Sequence, residues 1–259
     1  MKKKRIITII IIVLAVAAVG LTGFLLFKNY NNQKSKQKYN EVASSYAQVT
    51  TGSSTDTTGS LPKNPIDMVA LYERNADIKG WIKVPGTNVD YPVLRNDVND
   101  VFYINHDLDG NYAFAGSIYM QQCNRADMED NVTVLYGHNM ADNSMFASLH
   151  SFEDSSFFNK HKDMTIYIDG KQLDYEIISA FVYDDRHIMN SFNFTDPKSY
   201  QKFIDDVMNP RSVSVNVRKG ATLTTDDKIV VLSTCLNSGE GRYLVVGKLT
   251  NTTDLQPML

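Results

Sequence analysis

Ile229-Val230-Val231-Leu232-Ser233-Thr234-Cys235 is an apolar run that ends in small polar residues and a thiol. Leu236-Asn237-Ser238-Gly239-Glu240-Gly241 follows as a mostly polar, glycine-bearing loop. Arg242-Tyr243-Leu244-Val245-Val246-Gly247-Lys248-Leu249 then resumes the apolar pattern. Short β-branched runs bounded by turn residues read as strands. If these two pair as a hairpin, Arg242 returns beside Cys235.

Working outward, further strands are expected at Gly80–Val84, Val89–Leu94, Gly116–Met120, Val132–Gly137 and Met164–Ile168. Leu173–Val182 and Val213–Val217 continue the set, and Asp169-Gly170 marks a hairpin turn. Asp196 and Pro197 suit the N-cap and first position of a helix running to Met208, with Tyr200, Phe203, Ile204 and Val207 as its apolar stripe. A helix is also expected from Pro65, with Asn64 as its cap. About eight short strands with one inserted helix, at 196–208, make the chain mainly β and argue for a closed β-barrel of roughly 185 residues. A parallel α/β sheet needs a helix after most strands, and the sequence lacks them.

The N-terminus is organised differently. Lys2, Lys3, Lys4 and Arg5 form a basic tail, and Ile6–Phe27 carries no charge. At ~1.5 Å per residue the run spans roughly 33 Å, enough for a bilayer core. A cleaved signal peptide would have a shorter apolar region and a small-residue cleavage site. Phe24-Leu25-Leu26-Phe27-Lys28 offers a poor one, so a single transmembrane anchor is expected over 6–27. The compact tail at 1–5 favours a cytoplasmic N-terminus, although Lys28, Lys34, Lys36 and Lys38 nearly balance the count. Residues 28–64 are rich in Asn, Gln, Ser, Thr, Lys and Gly and read as a flexible stalk, with room for a short helical piece around Lys36 to Gln48. A folded domain is expected over 65–259, outside the cell.

Net charge is −3, with no basic excess, which argues against nucleic acid as a partner. Two cysteines cannot make a disulfide framework, and they lack zinc-site spacing. The acidic residues show no calcium-loop spacing, so no metal or other cofactor is expected.

Cys235, at a strand end facing an open loop, admits two readings: a nucleophile or an inert buried thiol. Arg242 is either an oxyanion-binding guanidinium or a solvated strand-edge residue. His138 repeats the arrangement of Cys235, ending the run Val132-Thr133-Val134-Leu135-Tyr136-Gly137 before a polar loop. His150 and His161 read as surface residues, His106 as a turn residue, and His187 as a neighbour of a cleft. A free thiol has a pKa near ~8.5, so cysteine catalysis of acyl transfer needs a proton-transfer partner and an oxyanion donor.

Leu232-Ser233-Thr234-Cys235 with Arg242-Tyr243-Leu244-Val245-Val246 resembles the signature of the sortase family, and Tyr136-Gly137-His138-Asn139 resembles its histidine motif. The chain order of histidine, cysteine and arginine agrees as well. Gly80-Trp81-Ile82-Lys83-Val84-Pro85-Gly86-Thr87, Asp90-Tyr91-Pro92-Val93-Leu94, Ala115-Gly116-Ser117-Ile118-Tyr119-Met120 and the late helix are similar to class B members. The resemblance covers residues 65 to 250. It implies an eight-stranded sortase-type barrel and a cysteine transpeptidase with Cys235 as nucleophile, His138 as general acid/base and Arg242 as oxyanion and substrate-orienting group. It further implies the Leu236 backbone N–H as a second oxyanion donor, and Ser233, Tyr136 and Ile104 as pocket positions. The implied donors are secreted surface proteins bearing a sorting motif similar to Asn-Pro-x-Thr-x. The implied acceptor is an amine of the peptidoglycan cross-bridge or of lipid II. The spacing of seven from Cys235 to Arg242 is short for the family, and Cys123 matches no motif. Three rivals remain outside this reading. A cell-wall L,D-transpeptidase would show Ser/Thr-His-Gly-Cys, a papain-like peptidase would place cysteine before histidine, and a surface-binding domain would need no thiol.

Overall fold

Cys235 stands opposite Arg242 in an antiparallel ladder whose other end pairs Ile229 with Lys248. The computed structural model describes residues 2–47, 61–237 and 239–258. Helix α1 spans Lys2–Tyr46 and α2 Met68–Arg74, followed by β1 (Ile78–Lys83), β2 (Asp90–Leu94), β3 (Ile118–Tyr119) and β4 (Val132–Tyr136). Helix α3 (Ser155–Lys160) precedes β5 (Asp163–Ile168) and β6 (Lys171–Tyr183). Helices α4 (Ile188–Ser191) and α5 (Pro197–Met208) lead to β7 (Val215–Val217), β8 (Ile229–Cys235) and β9 (Arg242–Asp254).

Eight strands run in the order β5-β1-β2-β3-β4-β8-β9-β6, and pairing of β5 with β6 closes the barrel. Strand β7 adds to the far half of β6 as a ninth strand outside the ring. The runs of β8 and β9 lack polar alternation because both faces are covered. Val230, Leu232, Tyr243 and Val245 enter the interior with Trp81 and Leu135. Ile229, Val231, Leu244 and Val246 pack outward under Tyr200, Phe203, Ile204 and Val207 of α5. Asp196 caps α5 by accepting from the Lys198 N–H, with Pro197 at its start, as its sequence requires.

Three local expectations change. Residues 28–46 of the expected stalk are helical: α1 continues through them and docks on the barrel, with Tyr39 and Val42 buried. The Tyr39 hydroxyl bonds Ser117 Oγ at 2.7 Å and donates to the Gly116 carbonyl at 3.2 Å. Residues 48–60 of that stalk lie outside the described residues. Helix α2 starts later than Pro65, because Asp67 supplies the cap by accepting from Ala70 N–H. Asn64 instead accepts from Ile66 N–H and donates to the Ile168 carbonyl. Finally, the short helices α3 and α4 join α5 in the connections between strands. Helix α1 is the one helix among the described residues that is long and apolar enough to cross a membrane.

Candidate active site

Strands β4 and β8 are parallel neighbours, registering Val132 with Ile229 and Tyr136 with Ser233. His138 and Cys235 each lie two residues beyond the last pair, so parallel register delivers both to the same end of the barrel. The Gly137 N–H donates to the Ser233 carbonyl at 3.2 Å and carries the contact toward that end. Position 137 must be glycine, since a Cβ there would meet Ile118 Cδ1 at 2.6 Å and the Phe146 ring at 2.8 Å. The hairpin then brings Arg242 back across from Cys235. Its closing turn needs a residue at positive φ, and Gly241 adopts +86° where a Cβ would strike the Tyr183 carbonyl at 2.8 Å.

Arg242 Nη1 donates to Cys235 Sγ at 3.0 Å. Negative charge forming on the sulfur, or on an oxygen bound beside it, therefore meets a permanent guanidinium. His138 Nε2 lies 2.7 Å from the Ile104 carbonyl, which only accepts, so that nitrogen carries the proton. The imidazole stacks on Phe114 with centroids 6.1 Å apart and planes 8° apart.

Cys235, His138, Arg242, Ser233, Tyr136 and Ile104 share one cavity of about 70 Å³. Leu236 lies outside it and lines an adjoining groove of about 990 Å³ with Tyr183, Arg186, Glu240 and Gly241. Tyr119 and Tyr136 form a stacked pair in the small cavity, 5.5 Å between centroids. Burial pushes the Tyr119 phenol up to about 12 and raises Tyr136 as well, so both remain protonated donors at neutral pH. The Tyr136 hydroxyl is buried without a protein partner. His187 lines a second small cleft of about 80 Å³ that Arg242 also lines, and meets Gln121 Oε1 at 2.7 Å.

A layer behind the thiol escaped the sequence reading. Asn139 Nδ2 donates to the Cys235 carbonyl at 3.0 Å and to Asn237 Oδ1 at 2.9 Å. His150, expected at the surface, is mostly covered: its side chain is 15% exposed and stacks on Tyr243 at 4.9 Å. Its Nδ1 contacts Glu153 Oε1 at 2.6 Å, and its Nε2 lies 3.1 Å from both the Cys235 carbonyl and Asn139 Nδ2. Asn139 was legible as the neighbour of His138, whereas the contact from His150 to Cys235 crosses 85 positions of sequence and left no local signal. Asn139→Ala is expected to lower stability by ~1 kcal/mol, the net worth of a typical hydrogen bond. Turnover should fall by roughly tenfold, equivalent to about 1.4 kcal/mol in the barrel-end geometry. Urea unfolding and peptide cleavage measure the two effects.

Comparisons with known proteins agree with this architecture. The sortase domain model matches residues 82–250. Sortase B of Staphylococcus aureus is 33% identical over 185 residues, which cover 70% of this chain and 73% of that protein. The X-ray structure of Clostridium perfringens sortase B superposes with a TM-score of 0.64 at 33% identity, covering 71% of this chain and all of that one. A Staphylococcus aureus sortase B–substrate complex gives a TM-score of 0.71 at 26% identity, covering 86% of this chain and 99% of that one.

Proposed function

This chain belongs to the sortase family as a class B cysteine transpeptidase, and from that premise we propose that Cys235, His138 and Arg242 carry its chemistry. The Cys235 thiol passes its proton to His138 as its sulfur attacks the carbonyl carbon of the threonine in a sorting motif similar to Asn-Pro-x-Thr-x. The carbonyl oxygen becomes an oxyanion and takes the place of sulfur as acceptor for the Arg242 guanidinium, with the Leu236 backbone N–H as a second donor. His138 gives its proton to the departing amine as the C–N bond breaks. A thioester remains on Cys235. An amine of the peptidoglycan cross-bridge or of lipid II then attacks it, loses a proton through His138 to the departing sulfur, forms a new amide and restores the thiol.

The observation that carries this reading is the 3.0 Å contact from Arg242 to Cys235 at the paired ends of two strands. Tyr136, Ser233 and Ile104 line the same cavity and are the proposed contacts for an extended peptide. In this reading α1 is a single-pass anchor with its N-terminus in the cytoplasm, and the barrel works outside the cell on secreted proteins.

Splitting amide exchange into two half-reactions predicts ping-pong kinetics. Varying peptide and amine concentrations together is expected to give parallel double-reciprocal lines, with slow hydrolysis when no amine is added. Intersecting lines would mean that both substrates must bind before any bond breaks, against the acyl-enzyme.

A further inference from the structure

The apolar run of α1 ends at Phe27, and Lys28 is the first charge beyond it. Residues 4–30 are exposed, and burial against the barrel begins at Asn31 and Asn32. From there the helix runs unbroken to Tyr46 along the domain. The end of the barrel nearest the span is therefore the end that Lys28 touches. The Lys28 ammonium sits over the Phe114 ring, 4.5 Å from its centroid, and the same ring stacks with the His138 imidazole. One aromatic ring contacts both the active-site histidine and the charge that closes the apolar run.

Apolar side chains are uncovered at this same end. Tyr112 is 73% exposed and Phe114 46% exposed, both in the connection between β2 and β3. Tyr30, two residues past Lys28 on α1, is 66% exposed. Aromatic rings with a polar tip are favoured at the membrane–water boundary, and lysine stems reach headgroups from the end of a span.

We propose that Tyr30, Tyr112 and Phe114 form a membrane-contact surface that seats the barrel on the lipid headgroups, with the His138 edge of the cavity at headgroup depth. The occupant is the bilayer that receives α1, since Lys28 joins the end of the span to Phe114 directly. The surface gives the transpeptidase a fixed height and heading, so that substrates tied to the same membrane reach the cavity laterally. The inference rests on the reading of α1 as an anchor.

The test is tryptophan quenching in the full chain, reconstituted into phosphatidylcholine–phosphatidylglycerol vesicles with lipids brominated near the glycerol. The native Trp81 is buried in the barrel and gives a constant background. Phe24→Trp reports the span, Tyr112→Trp the proposed surface, and Gln37→Trp a point roughly 14 Å further along the helix axis than Lys28. Quenching of Phe24→Trp and Tyr112→Trp without quenching of Gln37→Trp is the expected result. Quenching of Phe24→Trp alone would overturn the contact surface while leaving the anchor in place. Quenching of all three would mean nonspecific adsorption of the domain and would also overturn it. An unquenched Phe24→Trp would remove the anchor itself, and the surface with it.

Discussion

Cys235→Ala is expected to abolish cleavage of a sorting peptide, down to the uncatalysed rate, while the barrel stays folded. The methyl group cannot attack a carbonyl, and no thioester can form. The structural cost is small. Cys235 is partly exposed at the end of β8, and losing a side-chain atom there removes about 0.8 kcal/mol of transfer energy or less. The ladder from Ile229 to Lys248 does not depend on the sulfur. The measurement is therefore a pair: cleavage by chromatography and the urea midpoint. Activity lost with an unchanged midpoint supports the assignment, and residual turnover near wild type would end it. Cys123→Ala is the companion control and should leave activity near wild type. Desolvation and the Asp100 carboxylate hold the Cys123 thiol above its ordinary value, which leaves less thiolate at neutral pH.

Arg242→Lys is expected to lower kcat by ~10²–10³, the typical cost of one lost oxyanion donor. The charge survives, but the planar fork does not. Arg242 reaches Cys235 Sγ from the first residue of β9 with a rigid guanidinium. A lysine ammonium is a hydrated point charge on a flexible stem and does not hold a fixed direction toward a developing oxyanion. The loss should fall on kcat more than on KM, because the interaction is strongest in the transition state. A near-native kcat in Arg242→Lys would show that charge alone suffices and that directed hydrogen bonding adds nothing.

The two strands around Cys235 were legible because their apolar runs are continuous, and the structure covers both faces of each. The meeting of His138 with Cys235 was harder to read. It depends on a parallel register between β4 and β8, separated by about a hundred positions, and strand pairing across that distance has no local signature. Two matching signals stood in for it, since each residue ends an apolar run and begins a polar loop. A short helical piece around Lys36 to Gln48 was legible, but the unbroken helical course of 28–46 was obscured by composition. Its polar residues outnumber the four that pack, yet Tyr39, Val42, Ala43 and Tyr46 fall at helical spacing and all contact the core. Cap chemistry explains α2: both Asn64 and Asp67 suit an N-cap, and Asn64 is drawn away by the Ile168 carbonyl. His150 was misjudged because its polar neighbours in sequence are not its neighbours in space; Tyr243 and Cys235 reach it from the barrel end.

The central claim is a thioester on Cys235, and mass spectrometry of the full chain mixed with a sorting peptide, without amine acceptor, tests it most directly. Acid-quenched protein digested at low pH should carry the acyl half of the peptide on the fragment that contains Cys235, and Cys235→Ala should carry none. An adduct on Cys123, or cleavage of the peptide by Cys235→Ala, would contradict the account.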